Sequence, residues 1–209
     1  MTIIFDFDGT IADSFPFIMQ YLAAAAGREP LSVEEQLAFR KLSMVSVARR
    51  LGISRLRLPS VFLRGRRAMG RLERHVEPFE GMPELIRELH ESGNQLMILS
   101  SNRSRNIHAF LRHHKLEHCF SRVYGQVGLF GKAPVLRRIV RTFRLQLGHC
   151  LYIGDEMRDI EAAQSMGMPC MAVMWGFANP DHIAALKPRA VAATPAQLAA
   201  SIRSFAKQQ

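Results

Sequence analysis

Three short apolar runs that each stop abruptly at polar residues constrain this chain more than any other feature. They are Ile3-Ile4-Phe5 before Asp6-Phe7-Asp8-Gly9, Gln95-Leu96-Met97-Ile98-Leu99 before Ser100-Ser101-Asn102, and Cys150-Leu151-Tyr152-Ile153 before Gly154-Asp155. Short apolar runs closed by a turn signal suit buried strands. Between them the rhythm is helical. Pro83 to His90 and the stretches around Ile107-Phe110-Leu111, Leu136-Ile139-Val140-Phe143 and Asp159-Ile160-Ala163 space their apolar residues by three and four. Further strands are expected near Val123-Tyr124, over Pro169 to Val173 and near Val191. Strands alternating with helices of about ten to fifteen residues predict an α/β fold with a doubly wound, mostly parallel sheet. In such sheets ligands bind beyond the carboxyl ends of the strands. Asp6, Asp8, Ser101 and Asp155 all fall at such ends.

Asp6 and Asp8 are two residues apart, so strand alternation would place both carboxylates on one side. Like charges held that close raise one another's pKa unless a proton or cation intervenes, and a hard cation with oxygen ligands is the economical partner. Gly9 permits a sharp backbone exit behind them. Taken singly the polar residues have plain readings: turn aspartates, Ser101 as a helix N-cap, Lys132 as a surface lysine, Asp159 as an acid in a first helical turn. Their joint occurrence at successive strand ends points to a site.

Residues 14–78 have a different character. Ile18, Tyr21, Leu22 and Ala25 predict a helix ending near Gly27, Ser32 with Glu35 forms a capping-box signature for a second, and a third is expected from Ser43 to Leu51. A longer helix is expected from Pro59 to Val76, with Phe62, Met69, Leu72 and Val76 on one face and Arg64, Arg67, Arg71 and Arg74 on the other. No aromatic residues interleave with these arginines as stacking platforms. The stripe reads as a solvated face, and nucleic acid is not expected as a partner.

The chain of 209 residues carries a formal net charge of +10, which suits capture of anionic metabolites as well as it suits nucleic acid. No run approaches the roughly 18 apolar residues of a membrane span, and no signal peptide precedes the first strand, so a cytoplasmic location with no membrane partner is expected. Cys119, Cys150 and Cys170 form no metal or disulfide spacing. As for chemistry, phosphoryl transfer needs a nucleophile, a divalent metal, donors to the phosphoryl oxygens and a fixed cation. An aspartate can be the nucleophile. Asp6 and Asp155 would hold magnesium, while Ser101 and Lys132 would serve the phosphoryl oxygens.

Asp6-Phe7-Asp8-Gly9-Thr10, the strand ending at Ser101-Asn102, Lys132 ahead of a helix, and Gly154-Asp155-Glu156-Met157-Arg158-Asp159 resemble the four motifs of the haloacid dehalogenase superfamily. The likeness is to its phosphatase branch, nearest the phosphoglycolate phosphatase-like hydrolases, and it covers essentially the whole chain. It implies a Rossmann-like catalytic core over residues 1–13 and 79–209, with an all-helical cap over 14–78. It implies Asp6 as the phosphorylated nucleophile, Asp8 as general acid and base, and Ser101, Asn102 and Lys132 on the phosphoryl group. Magnesium would be held by Asp6, the Phe7 carbonyl, Asp8 and Asp155, with Thr10, Glu156 and Asp159 supporting these groups from behind. Glu156 departs from the pattern, since many relatives carry a small or hydroxyl residue there; it is either a partner of metal-bound waters or an additional acid that tunes the site. Arg40 lies where relatives place substrate-contacting cap residues. The implied activity is magnesium-dependent hydrolysis of a small phosphorylated metabolite by a monomer or homodimer. A phosphoglucomutase-like transferase, and a regulatory or nucleic-acid-binding protein on an idle phosphatase core, remain as alternatives.

Overall fold

The computed structural model describes the chain except residues 40, 41, 43, 69–75, 128–130, 178, 179 and 209, with backbone alone at 62 and 66–68. Its centre is a sheet of β1 (Thr2–Phe5), β2 (Gln95–Leu99), β3 (Phe120–Tyr124), β4 (Cys150–Gly154), β5 (Cys170–Val173) and β6 (Ala190–Ala192). The order is β3-β2-β1-β4-β5-β6 and every neighbouring pair is parallel. β1 is central and buried throughout, which is why its apolar run is continuous rather than alternating. The register sets Phe5 opposite both Ile98 and Ile153. The three strands therefore finish level, and the polar residues that follow them meet on one rim.

Beyond β1 the chain forms α1 (Phe15–Ala25), α2 (Val33–Phe39), α3 (Met44–Arg50) and α4 (Leu58–Ala68). The capping box forms as expected: Ser32 Oγ accepts from Glu35 N at 3.2 Å, while Glu35 Oε2 accepts from Ser32 N at 2.9 Å. These helices bury their own apolar cluster, including Phe15, Met19, Leu22, Phe39, Val47 and Val61. The entering and leaving segments are tied together, with Asp13 N donating to Glu77 O at 2.9 Å and Phe79 N to Ile11 O at 3.0 Å. α4 is described to Ala68. Residues 69–75 of the expected helix, with Met69, Arg71, Leu72 and Arg74, lie outside the described residues, as does Arg40, while Val76, expected at its end, is not helical and is buried in the cluster with Ile86 and Phe110.

The chain returns through α5 (Met82–Glu91), α6 (Ser104–His113), α7 (Lys132–Thr142), α8 (Met157–Gln164), α9 (Pro180–Leu186) and α10 (Pro195–Ala206). Period-two alternation sends Ile3 and Phe5 to one face of the sheet, against Ile86, Leu111 and Ile202, and Ile4 to the other, against Leu136 and Ile160. Helices thus cover both faces of a parallel sheet, and the carboxyl-end rim stays available for chemistry.

Candidate active site

The turn after β1 sets the first two carboxylates. The strand ends at Phe5, so a turn rather than strand alternation positions Asp8. Phe7 O accepts from the backbone N–H groups of Thr10, Ile11 and Ala12 at 3.3, 2.9 and 3.0 Å. The Phe7 carbonyl, expected as a metal ligand, thus accepts three backbone hydrogen bonds within the turn. Gly9 makes the exit with φ of 80°. A Cβ there would also collide with the Asp155 carboxylate and the Phe177 ring, so the position needs glycine twice over.

Asp6 is buried, and one oxygen accepts from Phe7 N at 2.7 Å. Its other oxygen lies 2.8 Å from Lys132 Nζ. Lys132 opens α7 and is only 4% exposed. The same ammonium pairs with Asp159 Oδ1, which also accepts from the Tyr152 hydroxyl at 3.3 Å. Asp159 Oδ2 accepts from Glu156 N at 3.1 Å and closes a capping box at the start of α8. One aspartate thus caps a helix and fixes the lysine that holds Asp6.

Asp155, at the end of β4, is fully buried. Thr10 Oγ1 donates to one of its oxygens at 2.9 Å and Phe177 N to the other at 2.7 Å. Trp175 Nε1 donates to Thr10 O at 3.1 Å, which ties the segment after β5 to the turn after β1. A Cβ at Gly176 would collide with Asp155 and with Gly9 O. Asp8 faces the cavity, and its Oδ1 accepts from Asn102 Nδ2 at 3.2 Å. Asn102 Oδ1 in turn accepts from Arg103 N at 2.8 Å and Asn106 Nδ2 at 3.0 Å. Asn102 is therefore oriented as a clamp on Asp8, a contact the sequence does not reveal.

Burial pushes the Asp6 carboxyl up to about 7 despite Lys132, and it also raises Asp8. Asp155 is held well above the usual carboxylate range by burial and then by the charges of Glu156, Asp6 and Asp159. Burial alone would lower Lys132, but Asp159 and Asp6 outweigh it and keep the ammonium protonated. Asp6, Asp155 and Asp159 each offer a carboxylate oxygen within 4.8 Å of the others. The site gathers Asp6, Asp8, Asp155, Glu156 and Asp159 against the cations Lys132 and Arg158. An all-oxygen donor set with surplus negative charge fits a hard divalent cation. Asp6 and Asp155 are the candidates to hold it, Asp155 at the end of β4 and Asp6 just beyond β1, while the Asp159 oxygens cap α8 and pair with Lys132.

A cavity of about 290 Å³ opens over this rim. Asp8, Ser101, Asn102, Glu156 and Arg158 line one side, with Ser101 half-buried, and residues of α1 and α3 line the other. Arg158 pairs with Glu156, and the charges of Glu156, Asp6 and Asp159 hold its guanidinium ionised against the cost of burial. The polar residues the sequence singles out, apart from Arg40, thus surround one rim. Arg158, Tyr152, Trp175 and Phe177 were missed. Arg158 stands in a quoted motif, but the other three contribute through contacts with distant segments that leave no local pattern.

Comparison with known proteins agrees with this geometry. The family described as haloacid dehalogenase-like hydrolase matches residues 3–173. The chain is 32% identical to a phosphoglycolate phosphatase of Synechococcus elongatus over 209 residues, covering 99% of each. It is 26% identical to the phosphoglycolate phosphatase of Mesorhizobium japonicum over 90% of the chain and 88% of that protein. Among solved structures, a haloacid dehalogenase-like family hydrolase from Streptococcus pneumoniae superposes with a TM-score of 0.77 at 21% identity, covering 96% of this chain and 97% of that one. The fold, the rim and the end-to-end likeness converge: the chain belongs to the haloacid dehalogenase-like hydrolase family and is one of its phosphatases.

Proposed function

We propose that the protein hydrolyses the phosphate monoester of a small metabolite in a magnesium-dependent reaction, through a phosphoryl group carried on Asp6, with residues 14–78 acting as a cap over the catalytic core. The observation that carries this reading is the Asp6 carboxylate fixed between Lys132 Nζ and Phe7 N, beside Asp155 and across the rim from Asp8. An Asp6 oxygen attacks phosphorus and the bond to the leaving oxygen breaks. Asp8, kept protonated more readily by its burial, gives that oxygen its proton. The Asp8 carboxylate then takes a proton from water as the water oxygen attacks phosphorus, and the bond to Asp6 breaks to release inorganic phosphate. Lys132 and Ser101 hold the phosphoryl oxygens, and Asn102 keeps Asp8 aimed. Magnesium held by Asp6 and Asp155 would neutralise phosphoryl charge.

The test is phosphate release from a panel of phosphorylated metabolites with and without magnesium, together with trapping of phosphate on Asp6. Release that needs no phosphorylated activator supports a hydrolase. Turnover that requires one, with the phosphoryl group returned to substrate, would make the protein a mutase instead.

A further inference from the structure

We propose that Arg158 is a substrate-binding residue whose guanidinium takes an anionic oxygen of the phosphate ester, either on the phosphoryl group or on an acid carried by the alcohol. This rests on the phosphatase reading of the rim and adds a residue to it. Arg158 lies in the first turn of α8 and lines the cavity beside Asp8, Ser101 and Asn102. A guanidinium carries five N–H donors in a planar fork. Among the described residues its charge partner is Glu156, which it meets through Nε. Nε and Nη1 are nevertheless buried without a hydrogen bond. The pair thus supplies counter-charge and leaves the fork unfilled.

A buried charged donor with no acceptor is costly, and such a group calls for a reason. The Arg158 side chain is 27% exposed, so it borders the space that a substrate fills while being mostly withdrawn from water. The other cation at the rim is more fully used: Lys132 Nζ serves Asp6 and Asp159 together, which leaves one of its three donors. Burial raises both Asp6 and Asp8, and Arg158 follows Lys132 among the charges that oppose that rise. Its field therefore reaches the two groups between which the phosphoryl group is to be transferred. Phosphate and carboxylate each offer paired oxygens that match the fork. An anion entering with the substrate would fill it.

The experiment measures kcat/KM on ethyl phosphate and 2-phosphoglycolate, and calorimetric binding of inorganic phosphate, with the magnesium-loaded full chain and its Arg158→Gln and Arg158→Lys variants. Arg158→Gln should lower kcat/KM on 2-phosphoglycolate by at least about tenfold, the lower end for a hydrogen bond to a charged group. A similar loss on ethyl phosphate, with inorganic phosphate bound more weakly, assigns the fork to the phosphoryl oxygens. A loss confined to 2-phosphoglycolate, with inorganic phosphate bound as before, assigns it to the acid on the alcohol. Arg158→Lys keeps a cation beside Glu156 and should fold even if Arg158→Gln does not. It lacks the fork, so the same pattern should appear at about threefold or more, half of tenfold on a logarithmic scale. Magnesium affinity should not weaken in Arg158→Gln, since removing a cation from among carboxylates favours a metal cation. Unchanged rates and phosphate affinity would overturn the proposal. So would magnesium binding that weakens in step with activity, because Arg158 would then only hold the start of α8 in place. If the unaltered protein hydrolyses no ester, p-nitrophenyl phosphate included, the phosphatase reading fails, and calorimetric binding of the same three ligands decides on Arg158 separately.

Discussion

The sheet rim and the helices α1 to α4 handle charge and exposure in opposite ways. At the rim, Asp6, Lys132, Asp155 and Asp159 are all buried, and each is held by hydrogen bonds or ion pairs. In the helical segment the buried residues are apolar, and Val33, Leu37, Val45, Leu56 and Leu63 remain exposed. Buried charges specify their positions closely, because any displacement leaves one uncompensated. An apolar wall tolerates sliding and repacking far better. The division suits a protein whose bond-breaking is fixed and whose substrate selection is adjustable.

The largest expected effect tests the fixed side. Asp6→Asn should reduce turnover by several orders of magnitude, on the scale of about 10⁶ seen when a nucleophile is lost, on every substrate alike, with no phosphoenzyme formed. Appreciable residual turnover, or a loss confined to some substrates, would dissolve the separation of chemistry from selection. Asp8→Asn should cost less, about 10² to 10⁴-fold, and should fail differently. With p-nitrophenyl phosphate the leaving group hardly needs a proton, so the acyl phosphate should accumulate on Asp6. Mass spectrometry after rapid quenching should show one added phosphoryl group, labile to hydroxylamine. Phosphate on another residue would refute the assignment.

A third prediction concerns the uncompensated charge at the rim. The Asp6 pKa rises on folding from 3.8 to about 7, so the folded state binds a proton that the unfolded chain has released. Its contribution to stability is therefore complete below about pH 4 and lost as pH rises through 7. Asp155 shifts in the same direction. Metal-free protein should melt lower at pH 8 than at pH 6, and magnesium should raise Tm more at pH 8, where protons no longer compete for the carboxylates. Asp155→Asn keeps acceptor and donor capacity for Phe177 N and the Thr10 hydroxyl. It should raise the metal-free Tm at pH 8 by about 2–4 °C, the equivalent of roughly 1 kcal/mol at this chain length, while abolishing the magnesium effect. A metal-free Tm that increases from pH 6 to pH 8 would contradict the charge surplus.

The two regions also differed in how well the sequence disclosed them. Strand β2 runs from Gln95 to Leu99 as its apolar pattern indicates, and the residues after β1, β2 and β4 meet because their register is level. Period and turn chemistry suffice for such features. The holding contacts were not legible. Asn102 on Asp8 and Thr10 on Asp155 join residues 94 and 145 positions apart, and neither leaves a local pattern. The three backbone hydrogen bonds to the Phe7 carbonyl were equally hidden, because a sequence displays a residue but not which backbone groups its turn engages. In the helical segment the starts of α1, α2 and α4 were found to within a few residues, whereas Val76, expected in the last helix, is not helical, and which face meets the rim depends on tertiary packing that periodicity does not encode.

The smallest predicted effect tests whether that helical wall stays separate from the chemistry. Tyr21 of α1 donates its hydroxyl to Val61 O in α4 at 2.9 Å, and its ring lies against Gly65, where an added Cβ would come within 2.8 Å of it. Tyr21→Phe keeps the ring and removes one hydrogen bond, which ordinarily contributes about 0.5–1.5 kcal/mol. Tm should fall by about 2–4 °C for each kcal/mol lost, because α1 and α4 are less firmly joined. The carboxylates at the rim make no described bond to Tyr21, so kcat on p-nitrophenyl phosphate should stay within about twofold, well under one decade of the 1.36 kcal/mol scale. The KM for larger esters should rise more than that for ethyl phosphate, since only they reach the wall. If kcat instead falls on every ester while Tm is unchanged, the helical segment must reach into the bond-breaking step, and the contrast between a fixed rim and an adjustable wall would have to be abandoned.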